Sequence, residues 1–253
     1  DETLSRKNLD SLIKITDFVV HLAAITDAAS SFGKLQQLKK NNLDNTKLVT
    51  EICATYKKKL IFISSTSVYG SNDNVMFEDE NNLNPQSPYA KIKISEENYI
   101  NKCIKNKNLK GVILRFGTIL GYSLGMRFHT AVNKFCYNSS LGKPLTVWKT
   151  ALNQKRPYLG INDASSAIIF FIKNPKLCNG TFNVLTSNLT VKDIINFINK
   201  VKKSKINFVN NKIMNQLSYE VSVLKIKKLN FEFKDNLKTL IKEEMKYLAN
   251  IDN

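Results

Sequence analysis

Short, continuous runs of apolar residues recur along the chain and predict strands that are buried on both faces. The clearest run is LIFI at residues 60–63, with lysines before it and four hydroxyl residues after it. Comparable runs lie at residues 17–24, where the run ends in small side chains, and at residues 111–116. A strand covered on both faces is a near-continuous apolar segment rather than an alternating one.

Apolar positions at helical spacing predict the helices. Residues 34–56 are predicted to form one long helix, and residues 1–16 a piece of helix or loop. Ser87 and Pro88 predict the start of another helix, which continues to about residue 105. Serine is a favoured N-cap, and proline suits the first helical position.

The second half of the chain has weaker patterns that predict a small α/β lobe. Residues 145–148 are a strand by residue type, and residues 191–201 and 237–248 have amphipathic helical spacing. Residues 126–129 are predicted to open a helix. Asp163 is predicted to be the N-cap of a helix over residues 164–171.

A candidate proton-transfer site lies where the strand at residues 60–63 and the helix after Ser87 meet. The strand ends in the hydroxyl cluster SSTS, and the helix carries Tyr89 and Lys93 four positions apart, hence on one face. A free phenol, with a pKa near ~10, is a poor base at neutral pH. An ammonium ~4 Å away, at an effective dielectric of ~20, favours the phenolate by up to ~4 kcal/mol, roughly three pKa units. Lys93 is therefore expected to lower the pKa of Tyr89 towards working pH.

The order SSTSVYG followed by SPYAKIK resembles the active-site segment of the extended short-chain dehydrogenase/reductases, the sugar-nucleotide epimerase and dehydratase group. A lone Y-x-x-x-K is weak in a lysine-rich chain, and the alternative is a surface tyrosine and lysine on an ordinary helix. The order and spacing after a buried strand make the match far more specific.

The resemblance implies a role for each residue of this segment. Tyr89 is the implied general base, Lys93 lowers its pKa and holds the nicotinamide ribose, and Ser65 hydrogen-bonds the reacting oxygen. NAD is the implied cofactor, with NADP not excluded. The residues implied to bind it are Leu22, Ala23 and Ala24 of the HLAA segment, Asn41, Asn42, Ser64, Tyr89, Lys93 and Gly117.

The resemblance also implies a substrate site for a nucleoside-diphosphate sugar. Thr118 stands where the family has an asparagine that contacts the substrate, and Arg156 stands where an arginine grips the diphosphate. Trp148 either stacks on a base or fills the core. The residues implied to bind substrate are Ser65, Thr66, Thr118, Arg127, Val147, Trp148 and Arg156.

Three further departures from the family pattern are visible. Asn45 replaces a glycine of the N-x-x-G-T helix, and Pro157 replaces the aspartate after Arg156. The implied first strand, G-x-x-G-x-x-G turn, helix and second strand are expected before residue 17, yet no glycine precedes Gly33. The chain is therefore expected to begin roughly fifty residues into the fold, with weakened NAD binding, either by truncation or by loss of the cofactor half.

The resulting fold expectation is an α/β chain with a Rossmann-type doubly wound parallel sheet that lacks its first βαβ segment. Residues 1–120 are assigned to a partial dinucleotide-binding domain. Residues 121–253 are assigned mainly to a small C-terminal α/β substrate lobe, with some segments that return to the Rossmann sheet.

Composition and charge limit the other classes of function. The net charge is +17 over 253 residues, but the basic residues are spread along the chain without aromatic interleaving, so nucleic-acid binding is not expected. No apolar run approaches the ~18 residues of a membrane span. The four cysteines are scattered and no signal-peptide pattern is present, so a cytoplasmic setting is expected. The two histidines lie far apart, so no metal site is expected.

The function predicted from the resemblance is NAD-dependent epimerisation of a nucleoside-diphosphate sugar, at C4, through a keto intermediate. A homodimer formed through a four-helix contact that includes the Tyr89 helix is also implied. The alternatives are an NADPH-dependent reductase, a 4,6-dehydratase, and a non-catalytic fragment that binds a sugar nucleotide. The dehydratase branch carries acidic residues right after its serine or threonine, where this chain has Thr66 and Ser67.

Overall fold

The computed structural model describes residues 6–28, 30–80, 83–210 and 218–250. The strands are β1 (Phe18–His21), β2 (Lys59–Ser65), β3 (Val75–Met76), β4 (Gly111–Phe116), β5 (Thr118–Leu120), β6 (Leu145–Trp148), β7 (Lys155–Gly160), β8 (Gly180–Val184), β9 (Ser187–Thr190), β10 (Ile206–Val209) and β11 (Glu220–Val221). The helices are α1 (Arg6–Lys14), α2 (Leu35–Leu38), α3 (Asn45–Thr55), α4 (Pro88–Lys107), α5 (Ala131–Ser140), α6 (Ile161–Lys173), α7 (Val191–Val201), α8 (Leu224–Lys227) and α9 (Leu237–Ala249).

Four parallel strands in the order β1-β2-β4-β8 form the central sheet. In register, Val20 lies beside Ile61, and Phe62 lies beside Ile113. Every residue of β4 is buried, as its apolar run predicted. All four carboxyl ends point to one edge of the sheet, where open α/β sheets bind their ligands.

Helices cover both faces of this sheet, as a doubly wound fold requires. On one face Ile13 of α1, Ile52 of α3 and Ile100 of α4 pack against the strands. On the other face, Phe171 of α6 and Ile226 of α8 do so. The predicted fold class, a Rossmann-type parallel α/β sheet, is confirmed.

The predicted helix over residues 34–56 is continuous but changes its winding. A π-helical segment, Lys39–Asp44, joins α2 to α3. Within it the Asn42 side chain accepts a hydrogen bond from the Ile25 N–H and donates one to the Ile25 carbonyl, both at 2.9 Å. These two bonds tie the helical segment to the chain leaving β1, a constraint that helical periodicity does not reveal.

The C-terminal lobe has its own core. Helices α5, α7 and α9 pack around the β6–β10 pair and the three-stranded β5-β7-β9 sheet, while β8 returns to the central sheet. Two sequence predictions fail here. The helix expected at residues 126–129 begins at Ala131, and Asp163 lies in the first turn of α6 rather than at its N-cap. Its carboxylate instead accepts bonds from the Thr186 hydroxyl and the Lys234 N–H, both at 2.7 Å, which tie distant segments together.

A tight turn follows β2 and fixes the hydroxyl cluster at the edge of the sheet. Thr66–Tyr69 form one 3₁₀ turn, and Gly70 follows with a φ of 69°. A Cβ at Gly70 would lie 1.7 Å from the Asn84 carbonyl oxygen, so only glycine fits. Of the helices within the described ranges, none is long and apolar enough to cross a membrane.

Candidate active site

Helix α4 begins as predicted and carries two candidate catalytic residues inward. The Ser87 side chain caps it by accepting a hydrogen bond from the Ala90 N–H at 3.2 Å, and Pro88 occupies the first turn. Tyr89 and Lys93 follow one turn apart, both buried. Their side chains therefore face the end of β2 rather than solvent.

The structure brings the hydroxyls of Ser65 and Tyr89 together. Ser65 is the last residue of β2, and its oxygen accepts a hydrogen bond from the Ser67 N–H at 3.2 Å. The Tyr89 phenol, which is only 8% exposed, lies close enough to Ser65 for the serine hydroxyl to lower its pKa. Two of the three predicted catalytic groups thus lie side by side at the carboxyl edge of the sheet.

Lys93 lies one turn deeper, with its ammonium directed toward other partners. It donates to the Ile63 carbonyl at 3.2 Å and lies 3.1 Å from a Glu96 carboxylate oxygen. The ammonium is 4.5 Å from the ring centroid of Phe62 and 5.9 Å from that of Tyr89. The three predicted side chains share one site, but the ammonium contacts Glu96 and Ile63.

The electrostatic environment of Tyr89 differs from the expectation. Burial raises the pKa of the Tyr89 phenol above its ordinary value, and the negative charge of Glu96 raises it further. The hydrogen bond from Ser65 and the positive charge of Arg127 act in the opposite direction. The lowered pKa expected from Lys93 is not found, because burial and then the charge of Glu96 raise the pKa of the phenol.

A line of hydrogen bonds leads from Glu96 back to β1. The Thr46 hydroxyl donates to Glu96 at 2.6 Å and lies 3.0 Å from His21 Nε2. Since the single Thr46 proton goes to the carboxylate, His21 must donate to Thr46. Burial, aided by the charge of Lys93, lowers the pKa of His21 to about 4, so the ring is neutral and can do so.

A second buried network lies beside the first, around Glu97. Its carboxylate accepts from Ser64 at 2.5 Å and from Arg115 Nη2 at 2.7 Å. Arg115 also donates to the Tyr69 hydroxyl at 2.8 Å, which donates to Asn183 at 2.7 Å. Burial opposes the charge on Arg115, but Glu97 outweighs it and raises the Arg115 pKa.

The predicted cofactor residues divide into exposed and engaged ones. Leu22 and Ala23 are exposed at the carboxyl end of β1, with Leu22 61% accessible, and Ala24 is half-buried behind them. Asn42 and Ser64 have side chains already bonded to Ile25 and Glu97. If Asn42 or Ser64 contacts a ligand, the contact would be made by van der Waals packing or by the backbone atoms of that residue.

Gly117 and Asn41 have backbone groups that are already bonded within the protein. The Gly117 N–H donates to the Val184 carbonyl at 3.0 Å, and a Cβ there would come within 2.9 Å of the Pro157 carbonyl oxygen. The Asn41 carbonyl accepts from the Asn45 side chain at 2.8 Å. Asn45, which replaces the expected glycine, is thus accommodated by a bond within the helical segment.

Thr66 lies in the site, beside Tyr219, a residue that the sequence did not single out. The hydroxyls of Thr66 and Tyr219 are 3.2 Å apart, and both residues are buried. The charge of Arg156 lowers the pKa of Tyr219, against the larger effect of burial, so Arg156 acts on the same side of the site. Thr118 is half-buried at the start of β5.

The remaining predicted substrate residues are dispersed. Arg127 is exposed and donates to the Thr26 hydroxyl, a contact between the segment before α5 and the chain leaving β1. Trp148 is 39% exposed, which removes the core alternative. Val147 packs inside the lobe core, so its predicted contact with substrate cannot involve its side chain.

Sequence reasoning missed Glu96, Thr46, His21 and Tyr219 as parts of the site. Glu96 could have been found, because it stands one turn after Lys93 on the same helix. The others come from distant segments with no local signal. In the described part of the chain, no group of three His, Cys, Asp or Glu side chains could hold a metal ion.

A serine and a tyrosine in contact, with a lysine one turn away, at the carboxyl edge of a Rossmann sheet define the extended short-chain dehydrogenase/reductase class. The chain belongs to the NAD dependent epimerase/dehydratase family, whose sequence model matches residues 2–184.

Individual relatives support this assignment. An ADP-L-glycero-D-manno-heptose-6-epimerase of Brachyspira hyodysenteriae is 30% identical over 190 residues, which are 72% of this chain and 59% of that protein. A dTDP-D-glucose 4,6-dehydratase of Dictyostelium discoideum is 32% identical over 197 residues, covering 71% and 44% of the two chains. The chain thus spans about half the length of these curated relatives.

A solved structure is similar over nearly the whole chain. The UDP-glucuronic acid 4-epimerase from Bacillus cereus, in complex with UDP-glucuronic acid and NAD, superposes with a TM-score of 0.85 at 28% identity. The similarity covers 96% of this chain and 79% of that one. The described fold therefore has a close counterpart of known structure.

Proposed function

We propose that this protein epimerises a nucleoside-diphosphate sugar at C4 through a keto intermediate, with NAD as cofactor and Tyr89 as general base. The observation that carries the proposal is the placement of Ser65, Tyr89 and Lys93 together at the carboxyl edge of the sheet. The B. cereus epimerase, whose complex contains UDP-glucuronic acid and NAD, supports it. Homodimer formation, the domain boundaries and a cytoplasmic location stay predictions.

The residues present at the sheet edge fit NAD. Leu22 and Ala23 expose apolar surface at the end of β1, suited to the flat face of a ring. The Lys93 ammonium has three protons; one is bonded to the Ile63 carbonyl and one side faces Glu96, which leaves a donor for a ribose hydroxyl. When bound, NAD would accept a hydride from the sugar carbon and return it.

The chain's own residues would move the proton. Tyr89, as phenolate, would take the hydroxyl proton of the sugar as the carbon loses its hydride, and later return it to the keto oxygen. Ser65 would hydrogen-bond that oxygen throughout. Inversion requires that the keto sugar turn within the site, so that the hydride returns to the other face of the ring. Thr66, Tyr219 and Arg156 would line the substrate side.

The test is turnover of UDP-, dTDP- and GDP-hexoses with NAD in D₂O, followed by NMR. We expect inversion at C4 with the C4 hydrogen retained. Tyr89→Phe should lower kcat by about 10²–10⁴-fold, the usual contribution of a general base. Tyr99→Phe is the matched control, because Tyr99 is on the same helix but bonds Glu51 instead.

Each alternative function has its own outcome in this experiment. Deuterium at C5 with a 6-deoxy-4-keto product would identify a 4,6-dehydratase, and net consumption of NADPH would identify a reductase. Binding of sugar nucleotide without turnover would identify a non-catalytic binder. Any of these would contradict the proposal, as would full activity of Tyr89→Phe.

A further inference from the structure

Glu96 is a buried carboxylate in the site to which the proposed reaction assigns no step. Both Glu96 and Lys93 are almost completely inaccessible, and their charged atoms are 3.1 Å apart. The contact is an ion pair without hydrogen-bond alignment: Glu96 Oε2 makes no directed hydrogen bond within the described residues. The ammonium instead directs its bond to the Ile63 carbonyl.

The other oxygen of Glu96 is firmly held. Thr46 donates to Oε1 at 2.6 Å, and the neutral His21 in turn donates to Thr46. The carboxylate is thus fixed in place from α3 and β1, while its Lys93 side is loosely engaged. This arrangement fixes a negative charge next to the Lys93 ammonium.

The charges around this pair come from several elements. His21 faces it from β1, and Arg127 acts on Tyr89 from the segment before α5. On α4 itself Glu97 is next in sequence, but its charge is matched by Arg115 of β4. Glu96 is therefore the negative group that acts on both Lys93 and Tyr89.

We propose that Glu96 is a positioning residue that holds the Lys93 ammonium toward the Ile63 carbonyl and away from the Tyr89 phenol. The inference rests on the proposed role of Tyr89 as the base. Its consequence is that the phenol ionises at higher pH in the free protein than Lys93 alone would allow. When Glu96 loses its charge, the ammonium is free to act on the phenol, which then ionises at lower pH.

The test is a titration of the Tyr89 phenol in the protein without substrate or cofactor. The tyrosines are replaced by 3-fluorotyrosine, whose more acidic phenol brings the titration into an accessible range, and Tyr89→Phe assigns the ¹⁹F resonance. Glu96→Gln should lower the Tyr89 midpoint by about one pH unit. An unchanged midpoint would overturn the proposal.

Glu51→Gln is the matched control. Glu51 accepts the Tyr99 hydroxyl at 2.6 Å, and it contributes, after burial, to the raised pKa of Tyr99. This variant should lower the Tyr99 midpoint and leave that of Tyr89 in place. Glu96→Gln should lower the Tyr89 midpoint and leave that of Tyr99 in place. Equal movement of both resonances in either variant would indicate a general charge effect and contradict the proposal.

If Glu96→Gln does not fold, Thr46→Val tests the same idea in the other direction. Without the Thr46 hydroxyl, Glu96 has Lys93 as its principal partner and should bind it more tightly. The Tyr89 midpoint should then rise by about half a pH unit, while Thr46→Ser keeps the parental value. No rise in a folded Thr46→Val protein would also overturn the proposal.

The outcome is separable from the proposed function. If the protein shows the shift but turns over no sugar nucleotide, the inference about Glu96 is supported and the proposed epimerase function is contradicted. If the protein is an active epimerase but its Tyr89 midpoint does not change in Glu96→Gln, only the inference about Glu96 is contradicted. In an active enzyme, the rising limb of kcat/KM against pH should move to lower pH by the same interval in Glu96→Gln.

Discussion

Two adjacent glutamates on α4 belong to two different kinds of buried ion pair. Glu97 receives the Arg115 guanidinium on both oxygens, with Nε at 3.1 and 3.2 Å and Nη2 at 2.7 Å. Ser64 adds a third donor. Every charge in this region, which we call the Glu97 network, is matched by directed hydrogen bonds, the condition under which burial of ions is tolerated.

The Glu96 network, of Lys93, Glu96, Thr46 and His21, is less complete. Its cation is a lysine, which has no planar fork to match a carboxylate, and one carboxylate oxygen lacks a directed bond within the described chain. It also adjoins the open edge of the sheet, where Leu22 is exposed. The comparison teaches that the closed pair fixes the sheet to α4, whereas the incomplete pair retains the freedom that a proton-transfer site needs.

The largest expected effect is that of removing each cation. Arg115→Met should lower the free energy of unfolding by about 3–5 kcal/mol, because Glu97 is left charged and buried without its partner. Lys93→Met should cost about 1–2 kcal/mol, because Glu96 keeps the Thr46 bond and loses only an ion pair without an aligned hydrogen bond. Urea denaturation of both variants gives the two values.

Lys93→Met should nevertheless lower kcat by about as much as Tyr89→Phe does. Equal losses of stability in the two variants would mean that the two networks do not differ as the geometry indicates. A stable Arg115→Met protein would contradict the structural role of the Glu97 network.

The second effect is a pH dependence confined to the Glu96 network. The pKa of His21 falls from 6.5 to about 4 on folding, through burial first and Lys93 second. The unfolded chain therefore binds a proton that the folded one does not, so stability is lost as pH falls through this window. The loss should reach about 3 kcal/mol near the lower pKa.

His21→Gln removes this loss while it keeps a donor for Thr46. The difference in unfolding free energy between wild type and His21→Gln isolates the histidine from other titrating groups, among them Glu244, whose pKa burial raises to about 7. Chemical denaturation at a series of pH values measures it. A constant difference across the window would show that folding does not lower the pKa of His21.

The contrast between the two networks also shows which contacts could be predicted from the sequence alone. Ser65, Tyr89 and Lys93 lie in one stretch with strong local signals: a buried strand, a hydroxyl turn, and a capped helix. These signals predicted the central sheet and a site with a strand-end hydroxyl, Tyr89 and Lys93, all within 34 positions. The resemblance to the family then implied Ser65 as that hydroxyl.

Elsewhere the decisive contacts join distant segments. Tyr219 meets Thr66 across 153 positions, and Thr46 meets Glu96 across 50. Asp163 had the residue type of an N-cap, but hydrogen bonds to distant segments determine its place. The expected pKa of Tyr89 was wrong in direction for another reason, because it considered only the charge of Lys93 and left out burial, the largest effect, and the charge of Glu96.

The smallest and sharpest comparison removes one hydroxyl from each network. Ser64 and Thr46 donate to Glu97 and Glu96 at nearly equal distances, 2.5 and 2.6 Å. Ser64→Ala should cost about 1 kcal/mol, because the Arg115 fork still satisfies Glu97. Thr46→Val should cost about 2 kcal/mol, because Glu96 loses its one directed donor and His21 loses its acceptor.

Urea denaturation of both variants measures these costs, and Thr46→Ser is the control that keeps the hydroxyl. A larger cost for Ser64→Ala at neutral pH would mean that Glu97, despite its bidentate Arg115 partner, depends more on its hydroxyl donor than Glu96 does. That result would reverse the assignment of a closed structural pair and an incomplete functional one.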